Sequence, residues 1–289
     1  MSAVPISAEN ESWCAVCGVP TPHRKVWEKV GYPILACIRC GLGSTHVDPG
    51  FDPAKIYDDG YFSGGQTDGY ADYLGSEPVL RREFRRVLVD LRKCGSKGGK
   101  LLELGCAYGF FLSEARADFD CLGVEMAPSA VAFARSRGLD VIEGSLREDI
   151  LTERGPFDAV AMLDCIEHLK APDETVGLLA RGLRPGGHIV ITTGDWDSAL
   201  ARITKANWRL MTPPQHLFFF SKKTLAALLE RNGFEVLSVS SPWKLVPIGL
   251  ALYQVTSRAD LKVRVPAWLG RVGVPVNLFD TVRVIARKK

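Results

Sequence analysis

The sequence predicts an α/β fold, a largely parallel sheet with helices on both faces, preceded by a small cysteine-rich module. Three observations predict it. Strand-length apolar runs alternate with helical patterns from Lys100 onward, the first run opens into a glycine turn, and two C-x-x-C pairs stand ahead of it. Strands that alternate with helices pair in parallel and are covered on both faces.

The cysteine pairs come first. Cys14-Ala-Val-Cys17 and Cys37-Ile-Arg-Cys40 have zinc-ribbon spacing, and Gly18 and Gly41 follow them, allowing tight knuckles that aim backbone amides at sulfur. Four thiolates closing a tetrahedron leave no place for water, so the expected zinc is structural; redox disulfides are the other reading. A module of this size has too little core to fold without its metal. Arg24, Lys25, Lys29 and Arg39 make it basic, either as a solvated face or as a grip on nucleic acid. Cys94, Cys106, Cys121 and Cys165 stand singly and read as packing residues.

The next stretch is rich in Gly, Asp and Tyr. Its rings Tyr57, Tyr61, Phe62, Tyr70 and Tyr73 suit either a lid over a ligand or a linker packed on the domain. Over 77–93 the apolar spacing of Val79, Leu80, Phe84, Leu88 and Leu91 predicts a helix, whose Arg81, Arg82, Arg85 and Arg86 form its wet face or a basic patch.

Residues 100–111, KLLELGCAYGFF, form the strand and turn. Gly105 and Gly109 permit a tight bend and let backbone N–H groups approach a polar ligand without a Cβ in the way. The next strand, 121–124, places Glu125 at its carboxyl end about 20 residues past the turn, where an acidic side chain accepts ribose hydroxyls. Pro128 suits a helix start, and Ala130, Phe133 and Ala134 give that helix an apolar face ending at Gly138. Further strands are expected at 141–145, 157–163 and 188–194. Ligands in such sheets bind beyond the strand carboxyl ends, which would gather Gly105, Glu125, Ser145 and Asp164 about one crevice. A nicotinamide dinucleotide loop is disfavoured, because G-x-G-x-x-G needs glycine where Ala107 stands.

These blocks, ELGCAYG, GVE, FDAVAMLDCIEHL and LRPGGHIVITT, followed by PPQHLFFFSKKTLAALLERNGFEV, resemble class I S-adenosylmethionine-dependent methyltransferases. The resemblance covers 101–241 and 281–288. It implies a Rossmann-like seven-stranded sheet and three regions: a zinc ribbon over 1–48, a lid or linker over 49–76, and a methyltransferase domain over 77–289, in which 242–280 is an acceptor-side insertion. It further implies that Glu103, Gly105, Cys106 and Gly109 meet the methionine part of the donor and that Glu125 holds its ribose. Ser145 and Leu146 would border the adenine, and Leu163 and Asp164 would line the sulfonium end. Many members carry glycine at the positions of Ala107 and Phe110, which puts the exact turn contacts in question.

Where an acceptor must lose a proton, a base adds about 10²–10⁴-fold. His216, in the loop Pro213-Pro-Gln-His-Leu, is the first candidate, with a loop-bracing histidine as the alternative; His168 and Asp164 follow, then Asp195. Trp196, Trp208 and Trp243 can stack on an acceptor or belong to the core.

The net charge of +3 over 289 residues neither demands nor excludes a polyanionic partner. No apolar run reaches the ~20 residues of a membrane span, no secretory signal pattern is seen, and paired C-x-x-C motifs suit a cytoplasmic setting. The expected function is methyl transfer to O, N or C of a small polar acceptor, a nucleotide- or glycan-linked sugar or biosynthetic intermediate. The alternatives are an RNA methyltransferase that grips nucleic acid with its ribbon and a non-catalytic binding module. The apolar 242–280 stretch adds a lipid-linked or membrane-surface substrate as a further option.

Overall fold

The structure is a computed structural model and describes residues 11–48, 50–52, 73–249, 252 and 267–289. Of the aromatic segment, Tyr57, Tyr61, Phe62 and Tyr70 lie outside the described residues, as does much of 242–280.

The strands are β1 Glu11–Cys14, β2 Val19–Lys29, β3 Tyr32–Cys37, β4 Gly43–Thr45, β5 Gly99–Leu104, β6 Phe119–Glu125, β7 Val141–Glu143, β8 Phe157–Leu163, β9 Leu183–Gly194, β10 Phe218–Phe219, β11 Phe234–Ser240, β12 Lys244–Pro247, β13 Gly273–Val276 and β14 Thr281–Lys288. The α-helices are α1 Glu77–Lys93, α2 Phe110–Ala115, α3 Pro128–Ser136, α4 Glu148–Arg154, α5 Pro172–Gly182, α6 Ala199–Thr204 and α7 Lys222–Arg231.

A seven-stranded sheet runs in the order β11-β14-β9-β8-β5-β6-β7. β5 pairs in parallel with β6 and β8, and β6 with β7. β14 is antiparallel to both its neighbours, β9 and β11, so the sheet is mixed. β5 and β8 read as unbroken apolar runs because both of their faces are covered, and Leu101, Leu102, Ala159, Val160 and Ala161 are all fully buried. The helix expected over 77–93 has those ends and buries Val79, Leu80, Val87, Leu88 and Leu91. Of its arginines, Arg81 and Arg85 both reach Glu114, whereas Arg82 donates to the Pro78 and Arg271 carbonyls. Three strands differ in length from expectation. β6 begins at Phe119, two residues earlier than expected, and takes in Glu125. β7 stops at Glu143, and β9 begins at Leu183, before its ladder with β14 starts at His188.

The chain divides into two compact units, one of Met1–Pro53, Met162–Ser241 and Leu278–Lys289, the other of Ala54–Ala161 and Pro242–Asn277. In the first unit a five-stranded sheet runs β1-β2-β3-β4-β10. Its inner face shares one core with residues 201–219: Ile34 from β3 packs with Ala201, Trp208, Met211 and Phe219. Trp208 is therefore a core residue, its Nε1 donating to Asp280 at 3.0 Å, and it is withdrawn from any acceptor. Trp196 stands edge-on to Trp27 at 5.9 Å, whereas Trp243 is 56% exposed. In the second unit, Tyr73 from the aromatic segment stacks on Phe110 at 5.4 Å and lies 5.6 Å from Tyr108, so the ring at position 110 belongs to a cluster flanking the turn.

Candidate active site

The glycine turn is built from main-chain groups closed by one carboxylate. Gly105 and Gly109 adopt φ of +74° and +73°, and Gly105 N donates to Val124 O at 2.8 Å. Glu125 accepts from three backbone amides: Ala107 N at 2.8 Å on Oε2, and Met126 N and Ala127 N at 2.7 and 2.9 Å on Oε1. Each carboxylate oxygen has two lone pairs; Oε1 uses both, and one on Oε2 remains for a further hydroxyl donor. A Cβ at Gly109 would stand 2.4 Å from Leu139 Cδ1, and one at Gly123 would stand 2.6 Å from Cys106 Sγ. Cys106 thus fills the space beneath the turn that glycine at position 123 leaves open.

Glu103 ends up deep under this turn, 2% exposed, and its Oε2 has no hydrogen-bond partner among the described residues. Burial raises its pKa well above the usual carboxylate range, and the neighbouring Glu125 charge raises it further. An orphaned buried carboxyl beside open backbone is what the ammonium of an amino-acid-like ligand would satisfy. The lining of the turn therefore fits an amino-acid-like ligand such as S-adenosylmethionine. Ser145 is exposed just past β7, where Gly144 N donates to Glu125 O at 2.8 Å.

In the other unit, β8 ends at Leu163, and Asp164 follows at φ +54° with its N–H on Thr192 O at 2.8 Å. The next turn presents Glu167 and His168, and the loop before β10 brings in His216. Their ligand-type atoms lie within 4.8 Å of one another, and the two imidazole centroids are 4.7 Å apart. His168 Nδ1 meets Gln215 O at 2.9 Å and His216 Nδ1 meets Leu210 O at 2.8 Å. A carbonyl only accepts, so each Nδ1 carries the hydrogen and each Nε2 the lone pair. Burial pushes the His168 pKa down; it pushes that of His216 well down, and His168 adds to this. Both rings are therefore neutral. The same three groups are a ligand set for a divalent cation, with each histidine already oriented through its second nitrogen.

Asp195 lies apart from this cluster. Buried at the end of β9, with its pKa raised by burial, it lines a cavity of about 370 Å³ with Ser198, Ser221, Lys222 and Phe279.

Cys14, Cys17, Cys37 and Cys40 converge in the first unit. Cys14 Sγ is 3.5 Å from Cys40 Sγ, and Cys17 Sγ is 3.9 Å from Cys37 Sγ. A tetrahedron with Zn–S bonds of about 2.3 Å separates sulfurs by about 3.8 Å, so the spacing fits a zinc ion. Cys17 N and Leu42 N point at Cys14 and Cys40 sulfur at 3.5 and 3.4 Å, and Gly18 and Gly41 turn at φ of +67° and +85°, forming the expected knuckles. The hydrogen bond from Cys40 pulls the Cys14 pKa down, and burial raises that of Cys17.

Glu167 belongs to the cluster as fully as the histidines beside it, and the adjacency Glu167-His168 was the signal that could have found it. Asp280, 1% exposed, was invisible to sequence reasoning: it accepts from Arg209 at 2.8 and 2.9 Å and from Trp208, anchoring the segment that supplies the Leu210 carbonyl.

A glycine turn closed by an acidic residue, on a mixed seven-stranded sheet, is the arrangement of an S-adenosylmethionine-dependent methyltransferase. Residues 79–239 match the family model described as a methyltransferase domain, more than half of the chain, and the protein belongs to that family. It is 32% identical over 198 residues to the ubiquinone biosynthesis O-methyltransferase of Xylella fastidiosa strain 9a5c, covering 62% of this chain and 80% of that protein. It is 35% identical over 196 residues to the protein of the same name from Xanthomonas oryzae pv. oryzae strain PXO99A, with the same 62% and 80% coverage. Among solved structures, a SAM-dependent methyltransferase from Archaeoglobus fulgidus is similar with a TM-score of 0.51 at 19% identity, covering 73% of this chain and 94% of that one. A protein from the conversion of a disulfide bond into a thioacetal group in echinomycin biosynthesis gives 0.52 at 18% identity, covering 82% and 93%. Both structural likenesses concern the fold.

Proposed function

We infer that the protein transfers a methyl group to a hydroxyl oxygen of a small polar molecule, with His216 as the proton acceptor and a structural zinc in the cysteine cluster. The observation that carries this reading is the pair of neutral imidazoles, each presenting Nε2 because its Nδ1–H is tied to a backbone carbonyl. The relatives named as O-methyltransferases support oxygen as the acceptor atom. A nucleotide- or glycan-linked sugar is the acceptor class to screen first. Two C-x-x-C pairs converging as thiol ligands for zinc fit a reducing, cytoplasmic setting.

Glu103 and the turn hold the donor's methionine end, and Glu125 its ribose. When bound, S-adenosylmethionine supplies an electrophilic methyl group, and its transfer to a hydroxyl oxygen releases one proton. His216 Nε2 takes that proton, and the Leu210 carbonyl stabilises the resulting imidazolium through Nδ1–H. His168 holds the loop through Gln215 and keeps a second neutral ring beside the first.

The test is His216→Ala. It is expected to lower turnover by about 10²–10⁴-fold while S-adenosylmethionine still binds in calorimetry; unchanged turnover would refute the assignment. The depressed His216 pKa limits its strength as a base, which favours a second reading. In that reading Glu167, His168 and His216 hold a divalent cation that acidifies the hydroxyl. Turnover that vanishes in a chelator and returns with Mg²⁺ or Mn²⁺, zinc content being unchanged, would select it.

A further inference from the structure

The cysteine cluster and the His216 loop are joined by a short chain of main-chain bonds. β4 begins at Gly43, just past the Cys40 knuckle, and β10 pairs with it through Phe218↔Ser44 and Phe219↔Gly43. Among the described residues β4 is the strand that pairs with β10. Thr45 N donates to Leu217 O at 2.9 Å, Thr45 Oγ1 donates to His216 O at 2.6 Å, and Leu217 N donates to Glu167 O at 2.8 Å. The strand is also pressed into place from the side: a Cβ at Gly43 would come within 2.8 Å of the Trp196 ring and 2.9 Å of Phe219 Cβ. At the other knuckle, Arg231 from α7 donates to Ala15 O at 2.6 Å, and Trp13 Nε1 donates to Asp173 at 2.8 Å.

We propose that the cysteine cluster, when it holds zinc, positions His216: the metal fixes the second knuckle, the knuckle fixes β4, and Thr45 on β4 sets the backbone of His216 and Leu217. Thr45 is thus a positioning residue. The ribbon serves as scaffold for the proton-accepting loop, and the edge it presents at β4 is already taken by β10. The metal closes the second knuckle, from which β4 departs, so the cluster's state is transmitted through β4 to the histidine pair, while the glycine turn and Glu125, built within residues 103–127, keep their own bonds. This inference rests on His216 as the proton acceptor and on zinc as the occupant of the cysteine cluster.

The test needs no acceptor. Ring resonances of His168 and His216 are assigned in the zinc-loaded protein by His→Gln variants. They are then followed after chelation verified by metal content, and in zinc-loaded Thr45→Val and Thr45→Ser, with S-adenosylmethionine affinity measured in each sample. Chelation is expected to move both resonances and zinc to restore them, with donor affinity changing by no more than about twofold. Thr45→Val should move the His216 resonance with zinc still bound, and Thr45→Ser should return it. Three outcomes overturn the proposal: resonances indifferent to zinc, Thr45→Val that matches the native protein, or chelation that abolishes donor binding together with the histidine shifts. A protein that takes up no zinc overturns it too. None of these readouts depends on His216 being the base, which turnover of His216→Ala decides separately.

Discussion

The glycine turn and the loop that carries His216 hold their functional groups by different means. At the turn, everything from Glu103 to Ala127 lies within one strand–helix–strand segment, and a single carboxylate ties three amides together. At the loop, His216 depends on the Thr45 hydroxyl and the Leu210 carbonyl, its neighbour Leu217 on the Glu167 carbonyl and, behind Leu210, the loop depends on Asp280, segments separated by up to 171 positions. A local device tolerates damage elsewhere in the chain. A device assembled from distant segments is exposed to damage far from the chemistry.

Asp280→Asn tests the non-local side most severely. It breaks a buried ion pair with Arg209, which typically costs about 3–5 kcal/mol, and it frees the segment that orients His216. A fall in melting temperature with a matching loss of turnover is expected; calorimetric donor affinity should stay near native. Retained turnover would show that the loop does not need this anchor. Glu125→Ala tests the local side. It leaves three amides unpaired, at about 1–3 kcal/mol each, and should abolish detectable donor binding in calorimetry while the histidine resonances stay put.

Glu103→Gln sharpens the contrast through pH. Burial raises the Glu103 pKa above 4.5, so the folded state holds its proton more tightly than the unfolded chain. That contribution is fully present below pH 4.5 and is lost as pH rises through the folded value. At neutral pH the variant should therefore be more stable to denaturant without donor, by roughly 1–3 kcal/mol, with the gain vanishing below pH 4.5. It should also bind S-adenosylmethionine less tightly, because the ammonium loses its counter-charge. A variant that binds donor as well as the native protein would remove Glu103 from the site. Smallest is Ala107→Gly. Ala107 sits at φ +46°, and relieving that should add up to about 1 kcal/mol in denaturant unfolding, less the entropy glycine brings.

Much of the fold was legible in the residues. The helix at Glu77–Lys93 and the strand at Phe157–Leu163 have the bounds their patterns predict, because amphipathic spacing and apolar runs report burial directly. The turn was legible for the same kind of reason: Gly105, Gly109 and Glu125 are close in sequence, and their geometry follows from local backbone constraints. Trp208 shows the limit. As a tryptophan near a candidate loop it suits an acceptor surface as well as a core, and only its burial against Ile34 and its bond to Asp280 decide.

The sequence by itself determined the α/β class, the glycine turn with its acidic partner, and the two cysteine pairs, since each is a short-range pattern with a physical requirement of its own. Only the tertiary structure decided that β4 pairs with β10, that Glu167 joins the two histidines, and that both imidazoles present Nε2. Those facts depend on which distant backbone groups satisfy one another. A hydrogen bond between Thr45 and His216, or between Asp280 and Arg209, leaves no periodicity and no spacing for a sequence to display.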